Sequence, residues 1–272
     1  MNERAILLIV PGRTDRAFYK AFIRGFFKNV EDIRIQDLDR RDLSEFKEQV
    51  LSKILPYKLD TRILARNASL MLEYKGMDKV YVVIMPSRTR VTQEAQFILE
   101  YFAGIQYYEG IVDSIIIIED AEDKSFEEQL NNLYQSITSR IRLGDKLAEG
   151  KYYRCYTLLK HNNIKVCFMV QGLEETPLTN KHAIEDFIIY TFQDELLSSP
   201  LKPCIDTIKS ISKKNLHKKL AKLIALSKCY HDLDEFIFNA ISVAEYDKLV
   251  QIHDGLNMII TTIKLSKNTI IR

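Results

Sequence analysis

An α/β fold, a mostly parallel sheet flanked by helices, is what this sequence of 272 residues predicts, and two patterns predict it. Residues 5–10 (AILLIV), 79–85 (KVYVVIM) and 115–118 (IIII) are short apolar or β-branched runs bounded by polar residues, as in strands buried on both faces. Each is followed by a turn and then a segment with helical apolar spacing, the alternation expected of strand-helix-strand units. From Cys204 onward the pattern is helical almost throughout. The predicted organisation is an α/β domain over 1–200 and a helical C-terminal subdomain over 201–272 packed on it.

The first strand ends at PGRTD, where Thr14 is a candidate N-cap and Asp15 sits favourably at the positive end of a helix over about 15–28. Phe18, Phe22 and Phe26 fall along one side of that helix. Residues 33–38 alternate like a strand, 43–55 read as a helix ending at Pro56, and a second helix is expected over 63–74. After the strand at 79–85, Thr92 is positioned to cap a helix over about 93–103. The acidic strand around 115–120 leads to a long amphipathic helix over 126–142, and 144–150 reads as a polar break. Residues 153–159 and 164–170 read either as a hairpin about a turn at 161–163 or with the second as one more parallel strand. A loop over 171–180 precedes a helix over 182–197, with Glu185 and Asp186 in its first turn. Two more helices, about 233–243 and 246–264, close the chain.

Lys+Arg 39 against Asp+Glu 37 leaves a net charge of +2, so nucleic-acid binding would have to come from a local patch. The one concentrated basic stretch, KSISKKNLHKKLAKL, reads as such a patch or as the solvated side of an amphipathic helix carrying Leu216, Leu220, Leu223 and Ile224. The four cysteines show no CxxC or Cys/His spacing and are expected to be reduced core thiols of a cytoplasmic protein. No apolar run approaches a membrane span, so no membrane partner is expected. The five histidines form no HxH or HExxH, there is no GxSxG elbow, and no GxGxxG or GxxxxGK[ST] loop is present, which argues against zinc, nucleophilic and standard nucleotide-loop chemistry.

What remains is carboxylate chemistry. Glu119, Asp120, Glu122 and Asp123 follow the isoleucine run, at the carboxyl end of a predicted central strand, where open α/β sheets bind ligands. Hard oxygen ligands there make a candidate site for Mg²⁺ or Mn²⁺; a solvated turn capping the next helix is the plainer reading. Gly12, Arg13, Arg88 and Arg90 follow two other strand ends and are candidate phosphate contacts on the same rim, if the strands are parallel.

Taken together, LLIVPGRTDRAFYKAF, IIIIEDAED and IKVCFMV with HAIEDFI resemble the Toprim domain of topoisomerases, primases and OLD-type nucleases, and most nearly small stand-alone archaeal and bacterial Toprim-like proteins. The resemblance spans about residues 5–200 and implies a Rossmann-like sheet and Mg²⁺-dependent phosphoryl transfer. In that family a first strand ends in Glu-Gly followed by Thr-Asp or Ser-Asp, and a later strand ends in Asp-x-Asp. Gly12, Thr14 and Asp15 match the first motif; Asp120 and Glu122 stand in the second as Asp-x-Glu. Pro11 occupies the glutamate position and has neither carboxylate nor N–H, so it can hold no metal and relay no proton. The expectation is a degenerate Toprim-like protein, weakly active or inactive as a nuclease, binding nucleic acid or nucleotide phosphate near the cation site. The alternative is a non-catalytic regulatory or scaffold protein using the fold for a protein partner or as a homodimer.

Overall fold

The computed structural model describes residues 3–27, 30–33, 69–75, 78–87, 90–105, 111–174, 182–198, 202–211 and 215–265. The expected helix over 43–55, most of the expected strand over 33–38, the first part of the expected helix over 63–74, and Arg88 lie outside them. Four strands form the middle of the sheet: β1 (Glu3–Val10), β4 (Asp78–Pro86), β5 (Val112–Asp120) and β8 (His161–Gln171). They run parallel in the order β4-β1-β5-β8. Antiparallel strands extend both edges: β3 (Ser69–Lys75) and β2 (Val30–Ile33) beyond β4, and β7 (Tyr153–Leu158) and β6 (Leu143–Glu149) beyond β8.

The pleat sorts each central strand's side chains onto two faces. Ile6, Leu8, Val10, Ile116, Ile118, Cys167 and Met169 join one core, and Ala5, Leu7, Ile9, Ile115, Ile117, Val166, Phe168 and Val170 the other. All four isoleucines of β5 are fully buried, each contributing roughly 1.5–3 kcal/mol of transfer free energy. That is why a run without polar alternation occupies the centre.

The second face is covered by α2 (Val91–Gly104) and α3 (Phe126–Thr138), the latter capped by the Ser125 hydroxyl accepting from Glu128 N–H. The first is covered by α1 (Arg13–Phe26), which presents Phe18, Phe22 and Ile23, and by α4 (Glu185–Thr191). Beyond α4, α5 (Gln193–Ser198) and α6 (Lys202–Ile211) lead into α7 (Leu216–Ser227), α8 (Leu233–Ala240), α9 (Val243–Ile252) and α10 (Asp254–Leu265). Leu220, Ile224, Phe236, Tyr246, Leu249 and Ile259 join the same core as Ile6 and Ile116, so the C-terminal helices share the sheet's own apolar layer.

Several local expectations need correction. The stretch 144–150 is not a break: β6 pairs there with β7, an exposed edge strand whose polar residues face solvent. Residues 69–74 are strand, not helix, because they pair with the buried β4. Thr14 does not cap α1; the helix starts at Arg13 with Gly12 as N-cap. Likewise α2 begins at Val91 after Arg90, and α3 ends at Thr138. The helix expected over 182–197 is two, parted at Phe192, and that over 246–264 is parted at His253. Cys155 and Cys167 are not reduced thiols: opposite one another in the β7–β8 pair, they form a disulfide. Cys204 and Cys229 are free and exposed.

Candidate functional site

Parallel β1, β5 and β8 bring their carboxyl ends to one rim. Asp120 and Gln171 are register partners on adjacent strands. Counting by twos from Ile116 and Ile118, and from Cys167 and Met169, puts both side chains on the face that α1 covers. Asp15, in the first turn of α1, completes the cluster from β1's side.

The three meet through one amide. Gln171 Nε2 donates to Asp120 Oδ1 at 2.7 Å and also to Asp15 Oδ1, so both of its hydrogens are spent on carboxylates. Tyr19 Oη, one turn further along α1, donates to Gln171 Oε1 at 2.9 Å, which fixes which end of the amide faces the acids. Gln171 and Tyr19 are fully buried and Asp15 nearly so. The Asp15 carboxylate is tucked against the Gly12 turn, where an added Cβ would lie 3.1 Å from Oδ2.

Burial, then mutual repulsion, disfavours the charged form of the acids on this rim. Burial pushes the Asp15 carboxyl up, against the Gln171 hydrogen bond and the charge of Lys218 on α7. Burial and then Asp15 raise Asp120 well above the usual carboxylate range. Glu119 is pushed up to about 7 by burial, then by Asp15 and Glu122, with Lys124 and Arg90 opposing. Glu185, in the first turn of α4, is also raised to about 7 by burial, with Asp15 adding to it and Lys218 opposing.

The neighbouring loop is held by the backbone. Glu122, at φ 55°, exchanges two hydrogen bonds with His182, Glu122 N–H to His182 O at 2.9 Å and the reverse at 3.0 Å. Gly172, at φ +111°, passes beneath: a Cβ there would lie 2.8 Å from the His182 carbonyl carbon, so both conformation and space demand glycine. Buried Asp186 accepts from Leu173 N–H at 3.2 Å and lies 3.3 Å from His182 Nδ1; that hydrogen bond raises the His182 pKa.

Of the residues predicted from sequence, Asp120 lies at the centre; Glu119, its chain neighbour, alternates to the other face of β5 and feels Asp15 electrostatically, and Glu122 is within electrostatic reach on an exposed turn. Asp123 is exposed on the same turn. Gly12 is at the rim, Arg13 begins α1 on the surface, and Arg90, beyond the end of β4 two strands away, acts on Glu119. Sequence reasoning missed Gln171 and Tyr19 and assigned Glu185 to the helix dipole; Lys218, expected on a solvated face, is exposed and reaches Asp15 and Glu185 through its charge.

Among the described residues, no group of three or more His, Cys, Asp or Glu side chains forms a ready metal cage. Mg²⁺ characteristically binds through one or two carboxylates and completes its octahedron with water and substrate phosphate. Asp15 and Asp120 supply two such carboxylates.

What fold and rim define is an α/β protein whose central strands end in a buried acidic cluster. No family model matches the chain, and no curated protein matches it. The hypothetical protein PH0156 from Pyrococcus horikoshii OT3 is similar in structure, with TM-score 0.57 and 15% identity over 96% of this chain and 98% of that one, a likeness of fold. Two other solved structures are far more distant. A mutant of the fosfomycin resistance protein FosX from Listeria monocytogenes, complexed with Mn(II) and a dihydroxypropylphosphonic acid, has TM-score 0.16 at 13% identity over 62% of this chain and 92% of that one. Hypothetical protein SA1046 from S. aureus has TM-score 0.15 at 13% identity over the same shares. Among the described residues, no helix is long and apolar enough to cross a membrane.

Proposed function

We propose that this chain is a divergent Toprim-like protein that binds nucleotide or nucleic-acid phosphate beside a single Mg²⁺ or Mn²⁺, with nuclease turnover slow or absent. One observation carries the reading: Asp15 and Asp120, from adjacent strand ends, share the Gln171 amide in a buried setting that disfavours the charge of both. A site built this way gains from a cation. When bound, the ion would supply charge neutralisation for an incoming phosphate. Asp15 and Asp120 would hold it, while Lys218, Lys124 and Arg90, whose charges reach these acids, and the exposed Arg13 are candidates to pair with phosphate oxygens. Pro11 removes the expected proton carrier. Glu119, part-buried on the other face of β5 and raised to about 7 chiefly by burial, is a carboxyl that would exchange a proton at this strand end near neutral pH.

Mn²⁺ titration followed by thermal unfolding tests this reading. At a hundredfold excess over Kd the wild type should gain about 2.7 kcal/mol, or roughly 5–10 °C in Tm. Asp120→Asn should abolish the gain, and any cleavage of a single-stranded oligonucleotide should vanish in Glu119→Gln. An equal Mn²⁺ response in wild type and Asp120→Asn removes the metal role.

The regulatory or scaffold reading draws its support from the oriented Gln171 amide, a neutral donor standing between the two carboxylates. Clear Mn²⁺-dependent cleavage lost in Asp120→Asn would count against it.

A further inference from the structure

Beside the rim is a cavity of about 390 Å³ that the acidic site does not use, lined by Lys151, Tyr152, Leu173, Glu174, Tyr190 and Ile252. Its floor is tightly held. The Asp254 carboxylate accepts the N–H groups of Lys151 at 2.7 Å and Tyr152 at 3.1 Å, fixing the turn that follows Gly150. The Tyr152 ring stacks on His253, centroids 4.0 Å apart and planes 16° from parallel. His253 in turn donates from Nε2 to Val170 O at 3.1 Å and accepts Leu256 N–H on Nδ1 at 3.2 Å, so it is the neutral tautomer. On another wall Leu173 is pinned by Asp186 through its N–H. At the mouth the exposed Lys151 ammonium and Glu174 carboxylate pair with each other.

These features describe a half-open, largely polar pocket with Tyr152, Tyr190, Leu173 and Ile252 in its walls and the Lys151–Glu174 pair at its edge, Lys151 also lying 5.3 Å over the Tyr152 ring. Its volume falls in the range of small-molecule sites. A flat ring with mixed donors and acceptors along its edge matches that lining, and tyrosine side chains are common platforms for such rings. Location narrows the ligand further. Leu173 is two residues beyond Gln171, so at most about 7 Å of chain separates the cavity wall from the amide that joins the two acids.

We infer that this cavity holds the base of a nucleotide whose phosphate lies on the acidic rim. The inference rests on the phosphate-binding reading for its second half only: the base contacts belong to residues outside the acid cluster. Tyr190 and Leu173 flank the ring, and Lys151 and Glu174 exchange their mutual ion pair for hydrogen bonds to the base edge.

Calorimetric titration with AMP, adenosine and ribose 5-phosphate, in the presence of Mn²⁺, tests it. AMP should bind at least about tenfold more tightly than ribose 5-phosphate, the scale of one aromatic-base contact. Tyr190→Ala should erase that advantage, with circular dichroism confirming the fold, and Lys151→Ala, at an exposed position, should reduce it about fivefold. Asp120→Asn should leave adenosine binding unchanged. If AMP and adenosine bind alike and ribose 5-phosphate does not bind, the base site stands and the phosphate reading fails. If adenosine does not bind, or AMP binds no better than ribose 5-phosphate, the base site is overturned.

Discussion

Replacing Glu185 by glutamine should make the protein more stable at neutral pH, an unusual outcome for a buried polar position. Glu185 is 6% exposed in the first turn of α4, and its carboxyl is raised from 4.5 to about 7, chiefly by burial. A carboxyl whose pKa is higher folded than unfolded contributes its full stability below the unfolded value and loses it as pH rises through the folded one. Here the loss runs from about 4.5 to about 7, a span of roughly 2.5 pH units, worth about 3 kcal/mol at 1.36 kcal/mol per unit. Glutamine has the size of the protonated acid and never ionises. Urea unfolding with chelator present should therefore find Glu185→Gln equal to wild type at about pH 4 and about 3 kcal/mol more stable at about pH 8. His253, held down to about 3 by burial, pulls total stability the other way between about 3 and 6.5, but it is common to both proteins and cancels in the difference. A glutamine variant less stable than wild type at about pH 8, or an offset independent of pH, would refute the idea of disfavoured charge at the rim.

Two further outcomes follow from the same contacts. Gln171→Leu keeps approximate volume but strips a donor from two carboxylates and an acceptor from the buried Tyr19 hydroxyl, so it should cost about 3–5 kcal/mol in urea unfolding near pH 7. Removing the disulfide with Cys155→Ala and Cys167→Ala, 12 residues apart, should cost about 2–3 kcal/mol, and added reductant should then leave the double variant's Tm unchanged.

The central strands were legible because burial on both faces demands uninterrupted apolar runs, and the acids at 119–123 could be placed at a strand end for the same reason. Gln171 left a readable trace: a lone amide closing the run KVCFMV, just before a glycine. What could not be read was its partner, since the pairing of Asp120 with Gln171 depends on register between strands about 50 residues apart. The missed disulfide has a sharper cause. A turn centred on residue 162 would set Cys155 against Met169; the hairpin instead turns at Leu159 and Lys160, which alone would set it against Ile164, and a register shift between Thr157 and Leu158 then brings it opposite Cys167. β6 escaped notice because an exposed edge strand needs no apolar side. The break at Phe192 has no glycine or proline to announce it.

Gly172 has a consequence for how such a rim can change over time. The chain leaving β8 threads under the His182 carbonyl that grips Glu122, so any side chain at this one position would wedge β5's loop away from the start of α4. Acids around it can be exchanged singly and the charge of the rim retuned, while the crossing beneath stays as it is. A descendant that lost this glycine would have to rebuild the whole corner at once.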